Sequence, residues 1–218
     1  MPKRRKRPER IFLLSPANIS GPRGRVVLSE RASFPLAVRL RHEGATLGEV
    51  FSFVSGLYFR GKLAYASRFA APPDPQSPVS GAGVFVITPA AGLRTADTIV
   101  TVAALSAFAQ VDVSPANPKY RRPLETAARA IAEDVGAACE VVLLGSIASG
   151  KYVDVLQHIF GDRLMFPAEF VGRGDMSRGG LLLRCAAAGE ELTYIPVAGA
   201  VRHGARPPKL DPKTRVKL

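Results

Sequence analysis

The stretch Val141–Gly161, VVLLGSIASGKYVDVLQHIFG, decides how the rest of the chain reads. Val141 to Leu144 are apolar without interruption, as in a strand buried on both faces. A small turn follows, Gly145-Ser146-Ile147-Ala148-Ser149-Gly150-Lys151. Tyr152, Val153, Val155, Leu156 and Ile159 then recur at helical spacing. A strand, a tight turn and a helix in that order aim backbone amides and a helix N-terminus at one point, which suits an anion. Ser146, Ser149, Lys151 and Tyr152 are therefore candidate phosphate contacts. The letters also satisfy Gly-x-x-x-x-Gly-Lys. A P-loop continues with Ser or Thr, whose hydroxyl holds magnesium, but Tyr152 stands there, and no second strand ends in an acidic residue suited to the metal. Two readings stay open: a βα turn without a ligand, and a turn that holds phosphate or a nucleobase without hydrolysing a triphosphate.

Working outward, Leu124, Ala127, Ala128, Ile131 and Val135 predict a helix that opens at Pro123 and stops at Gly136. Ile11–Leu14 is a buried strand ended by Ser15-Pro16, and Val84–Thr88 is a second. Leu164–Pro167 is a third candidate, and Thr193–Val197 is an edge strand limited by Pro196. Pro35–Arg41 reads as a short helix and Leu47–Tyr58 as one amphipathic helix. Ala17–Arg25, Ala71–Gly83, Pro115–Pro123 and Phe170–Gly180 read as loops, and Pro89–Asp97 as irregular. Thr98–Val111 has no clean period. This alternation predicts a single α/β domain with a mostly parallel central sheet flanked by helices. Open sheets of this kind place ligands at the carboxyl ends of their strands, which makes Ser15, Asn18 and Ser20 candidate contacts. The glycine-rich loop that carries Arg173 and Arg178, with Asp175 capping the next helix, is a second anion-friendly feature.

The 218 residues are 47% hydrophobic, enough for a sizeable core, and carry a net charge of +12. Residues 1–10 and residues 202–218 each hold +5, which leaves +2 for the body, 11–201. The chain thus divides into a basic arm, an α/β body and a basic tail, both ends flexible in composition. Such arms attach a domain to phosphate backbones without reading sequence, and Lys3, Arg4, Arg5, Lys6 and Arg7 are the first candidates. Arg60 and Lys62 alternate with aromatics in Phe59–Tyr65, a pattern that can pair phosphates and stack bases. The same pattern fits a helix with Tyr58, Phe59 and Tyr65 in the core and Arg60 and Lys62 in water. No apolar run is long enough to span a membrane, and the basic N-terminus does not read as a secretory signal. Cys139 and Cys185 lie in apolar stretches and read as small core residues in a reducing compartment, with cytoplasm the default. His42, His158 and His203 are scattered, and neither a metal site nor a cofactor is implied. An active site would therefore draw on Ser, Tyr, Asp, Lys and Arg. Asp175 or Asp97 would polarise water, and Tyr65 or Tyr152 would stack on a base.

Several segments together resemble the YaaA family of bacterial peroxide-stress proteins. IFLLSPA, Ile11 to Ala17, is similar to that family's opening strand and Ser-Pro-Ala turn. YFRGKLAYASRFA, Tyr58 to Ala70, is similar to its aromatic-x-Gly-x-x-Tyr segment. Val86–Thr98, Val141–Tyr152 and Met176–Arg184 resemble further pieces in the same order. Asn18 replaces the family's lysine after Ser-Pro-Ala, and Lys151 replaces an acidic residue. The resemblance implies an α/β domain that binds DNA and protects against oxidative damage. The function expected is nucleic-acid binding, DNA more than RNA. The alternative is a nucleobase- or nucleotide-processing enzyme such as an N-glycosylase.

Overall fold

The structure is a computed structural model and describes residues 8–201, 204–208 and 210. In chain order the regular elements are β1 (Arg10–Leu14), α1 (Pro22–Leu28), α2 (Pro35–His42), β2 (Ala45–Thr46), α3 (Leu47–Ser55), α4 (Leu57–Phe69), β3 (Val84–Thr88), β4 (Gly92–Thr95), β5 (Ile99–Val100), α5 (Val102–Ala109), α6 (Pro118–Asp134), β6 (Glu140–Leu144), α7 (Gly150–Phe160), β7 (Leu164–Pro167), α8 (Asp175–Ala188) and β8 (Tyr194–Pro196).

Among the described residues a six-stranded sheet has the order β4-β3-β1-β6-β7-β8, and β2 and β5 form a separate short antiparallel ladder. β3, β1, β6 and β7 run parallel, while the edge strands β4 and β8 run antiparallel. The mostly parallel sheet expected from the βα alternation is present. β1 and β3 are buried along their whole length, which is why they read as unbroken apolar runs. Phe12, Leu14, Val84, Val86, Val142 and Leu144 face a core shared with α1 to α5 and α8. Ile11, Leu13, Phe85, Ile87, Val141 and Leu143 face the other way, against α6 and α7.

Several local expectations change. Leu47–Tyr58 is two helices, because Gly56 takes φ +61° and breaks the run between α3 and α4. Pro89–Asp97 closes a hairpin: the Thr88 hydroxyl donates to Gly92 O at 2.8 Å and accepts from Ala91 N–H. α5 occupies the stretch without a period, and the Thr101 hydroxyl caps its start. α1 fills part of the loop expected over Ala17–Arg25. α6 begins at Pro118 under an Asn117 cap, five residues before Pro123, which the helix carries within it. α8 opens at Asp175 with Gly174 in the cap position, so Asp175 is a first-turn acid rather than the cap. Arg10, counted with the basic arm, belongs to the body: its guanidinium pairs with Glu140 and Glu191. Cys139 is buried and Cys185 half-buried, and both are free thiols. Among the described residues no helix is long and apolar enough to cross a membrane.

Candidate functional site

β1 and β6 are neighbours, but the chain leaves them on opposite faces. After β1 it passes through α1 to α4 on one face, and after β6 through α7 on the other. The carboxyl ends of such a pair diverge into the crevice where open α/β sheets hold ligands. Here the lips are Ser15–Ser20 and Gly145–Gly150. They are joined at the base by Ser15 N–H donating to Leu144 O at 3.1 Å. The join is tight, since a Cβ on Gly145 would sit 2.9 Å from the Ser15 Cβ.

A cleft of about 520 Å³ opens over these ends. Pro16 to Ser20, Pro89, Phe108 to Val113, Lys151 and Tyr152 line it. Asn18 accepts from Ser20 N–H, and the Ser20 hydroxyl donates to Ala109 O, tying the β1 lip to α5. Arg25 donates to Ser20 O at 3.0 Å and holds a guanidinium beside that lip. Lys151 is exposed. Tyr152 is partly buried, and burial together with the Asp175 carboxylate pushes its phenol up to about 12.

Beneath Pro16 lies a feature that sequence reasoning missed. The letters around Lys62 put it against phosphates at the surface, or else in water, yet it is 1% exposed. Its Nζ donates to Ser15 O at 2.6 Å and meets Ser15 Oγ at 2.8 Å. The Tyr58 and Phe59 rings stand 4.6 and 4.9 Å from the same nitrogen. Among the described residues no carboxylate lies within ion-pair distance of it. Burial drives its pKa down to about 7, partly offset by the charge of Asp175. One signal was available: Tyr58, Lys62, Tyr65 and Phe69 follow the i, i+4, i+7, i+11 stripe of a helix, which is the buried face of α4.

α8 supplies the other charges. Asp175 and Arg178 pair at 3.6 Å, and Arg178 also donates to Phe170 O at 3.0 Å and covers the Phe170 ring. The Tyr58 hydroxyl is buried and completes no hydrogen bond of normal geometry among the described residues, with Arg178 the first charge to act on it. Burial raises its pKa well above the ordinary phenol value.

The expected site residues thus separate. Asn18, Lys151 and Tyr152 share the cleft. Ser15 does not line the cleft but is buried beside it, bonded to Lys62, and the charges of Asp175 and Arg178 reach this cluster from α8. Ser146 accepts from Ala148 N–H within its own turn, and Ser149 is an exposed helix cap without a side-chain cap bond. The Asp154 carboxylate folds onto Gly150, so the chain's own anion covers the start of α7. Arg173 turns away toward Glu169 O, Ser177 and Pro208 O, because the segment at 204–208 packs against Gly172. Tyr65 lies in the core: its ring packs on Phe12 and its hydroxyl bonds Tyr194 and accepts from Leu192 N–H, so it cannot stack on a base. Asp97 is exposed in the turn after β4, bonded to the Thr95 hydroxyl. Arg60 is exposed on α4. Lys3, Arg4, Arg5, Lys6 and Arg7 lie outside the described residues. Among the described residues no group of three or more His, Cys, Asp or Glu is placed to hold a metal ion.

The fold and crevice define an open α/β protein with a cleft at its topological switch point. No family model, no curated protein and no solved structure matches the chain.

Proposed function

We propose that the protein binds nucleic acid, DNA in the first place, and lodges one unstacked nucleotide in the cleft above β1 and β6. The observation that carries this reading is a cleft of about 520 Å³ at the switch point, lined by Lys151, Tyr152 and Phe108, with Arg25 bonded to its Ser20 lip. Lys151 and Arg25 meet phosphate, while Tyr152 and Phe108 offer faces to a base. Asp112, in the same wall, accepts from an amino edge. The excess charge at the two ends of the chain supplies general affinity for the backbone. The resemblance to peroxide-stress proteins supports a cytoplasmic role in protecting DNA from damage.

Fluorescence anisotropy with single-stranded and duplex oligonucleotides over a range of salt tests the reading. Lys151→Ala should weaken single-strand binding and lower the salt slope by about one. Tyr152→Ala should weaken it by roughly 1–3 kcal/mol without changing that slope. Variants that bind like the parent at every salt concentration would reject the cleft as the nucleotide site.

A further inference from the structure

The cleft accounts for Lys151 and Tyr152 but leaves the buried amine below it unexplained. Lys62 is buried behind the end of β1, bonded to Ser15, the residue that precedes the cleft wall in the chain. Among the described residues it has no carboxylate partner, and its hydrogen bonds go to the two oxygens of Ser15. A neutral amine has two hydrogens and one lone pair. Lys62 Nζ donates to Ser15 O and to Ser15 Oγ; once the amine loses a proton, its lone pair can replace the N–H on the Oγ side and accept the Ser15 hydroxyl hydrogen across 2.8 Å. Gly145 leaves room for that hydroxyl, since a Cβ there would lie 3.2 Å from Ser15 Oγ. Ser15 opens directly into Pro16, the first residue of the cleft wall.

We propose that Ser15 and Lys62 are a nucleophile and general base that cleave an ester or thioester carbonyl presented from the cleft. Serine–lysine pairs serve this chemistry on unrelated folds, with the amine in the place of histidine. Ser15 Oγ forms a bond to the acyl carbon as its proton passes to Lys62 Nζ. The tetrahedral adduct collapses, the bond to the leaving oxygen or sulfur breaks, and Lys62 returns the proton to that atom. Water then attacks the acyl-serine, gives a proton to Lys62, and the acid leaves as Ser15 recovers its hydrogen. The sum is ester plus water to acid plus alcohol, or thioester plus water to acid plus thiol, with no cofactor. This goes beyond the binding reading and does not require that the acyl group sit on a nucleotide.

The groups that face the amine set its readiness. The Tyr58 and Phe59 rings and the Ser15 oxygens surround it, and the Asp175 charge reaches it from α8, where Arg178 pairs that acid. Tyr152 on α7 feels the same acid. Burial lowers the Lys62 pKa from 10.5 to about 7, so the amine gives up its proton far more readily than an ordinary lysine.

The test is reaction of the full chain with a fluorophosphonate probe and with p-nitrophenyl acetate, with the modified residue mapped by mass spectrometry. The label should fall on Ser15, at a rate that rises about tenfold per pH unit below pH 6 and flattens above pH 8. Ser15→Ala should abolish it. Lys62→Met, which keeps Ser15 and fills the apolar slot, should slow it at least about 100-fold. Asp162→Asn, at an exposed position remote from the pair, should leave it unchanged. Cooperative melting of each variant establishes that it folds. A folded parent with no label on Ser15 at any pH would overturn the proposal. So would a Lys62→Met variant that labels at the parent rate, or acylation of Lys62 in place of Ser15.

Discussion

Replacing Lys62 with methionine should change how stability depends on pH, with a sign the structure dictates. The folded-state pKa of Lys62 is about 7, against 10.5 for the ordinary side chain. A depression of that size corresponds to roughly 5 kcal/mol against holding the ammonium in the fold. Below pH 7 both folded and unfolded chains carry the proton, and the full penalty is present. Between about 7 and 10.5 the unfolded chain binds more protons than the folded one, so stability rises with pH. Above that window both are neutral and the penalty is gone. The methionine variant has no such dependence, though it loses two hydrogen bonds to Ser15, each worth about 1 kcal/mol. The parent should therefore gain about 2–3 kcal/mol on the variant between pH 7 and pH 9. Below pH 6 the variant should be the more stable. Urea unfolding of both chains at a series of pH values measures the difference directly, and every other titration common to the two cancels. A difference that stays flat from pH 6 to pH 10, or that favours the parent at low pH, would refute the reasoning.

Other consequences concern packing and charge. A Cβ on Gly61 would lie 2.6 Å from Gly179 O, and one on Gly179 would lie 2.8 Å from Leu57 O, so α4 and α8 touch backbone to backbone. Either glycine changed to Ala should destabilise by about 1–3 kcal/mol or more, read as a fall in melting temperature. Gly145→Ala should cost a similar amount and move Ser15, so probe labelling should fall further than stability does. Removal of residues 1–7 and 211–218 should weaken duplex binding and flatten its salt slope, as checked by anisotropy. Arg10→Met leaves two partly exposed carboxylates, Glu140 and Glu191, without their shared cation. It should lower stability by about 2 kcal/mol at neutral pH, less in acid, by chemical unfolding.

The strands were legible wherever burial on both sides made an apolar run between breakers. Leu13 and Leu143 announce themselves because a central parallel strand has no wet face. β4 was not legible, since Gly92-Leu93-Arg94-Thr95 has one buried end and one exposed end and owes its pairing to a hairpin closed by Thr88. The position of the cleft was legible in outline: Asn18, Lys151 and Tyr152, which line it, follow from where strands end. Tyr65 lies in the core, as one of the two sequence readings had it, whereas both readings left Lys62 against phosphate or water, because alternating aromatic and basic letters look the same on a wet surface and on a packed stripe.

Composition and apolar spacing were enough to set the βα order, the parallel sheet and the concentration of charge at the two ends, because these depend on local periodicity and counting. Which side chains share a space depends on contacts between residues far apart in the chain. Only the packed α4 brings Lys62 under Ser15, forty-seven positions away, in a setting too dry to favour its charge. Only the sheet order sets the lips of β1 and β6 side by side.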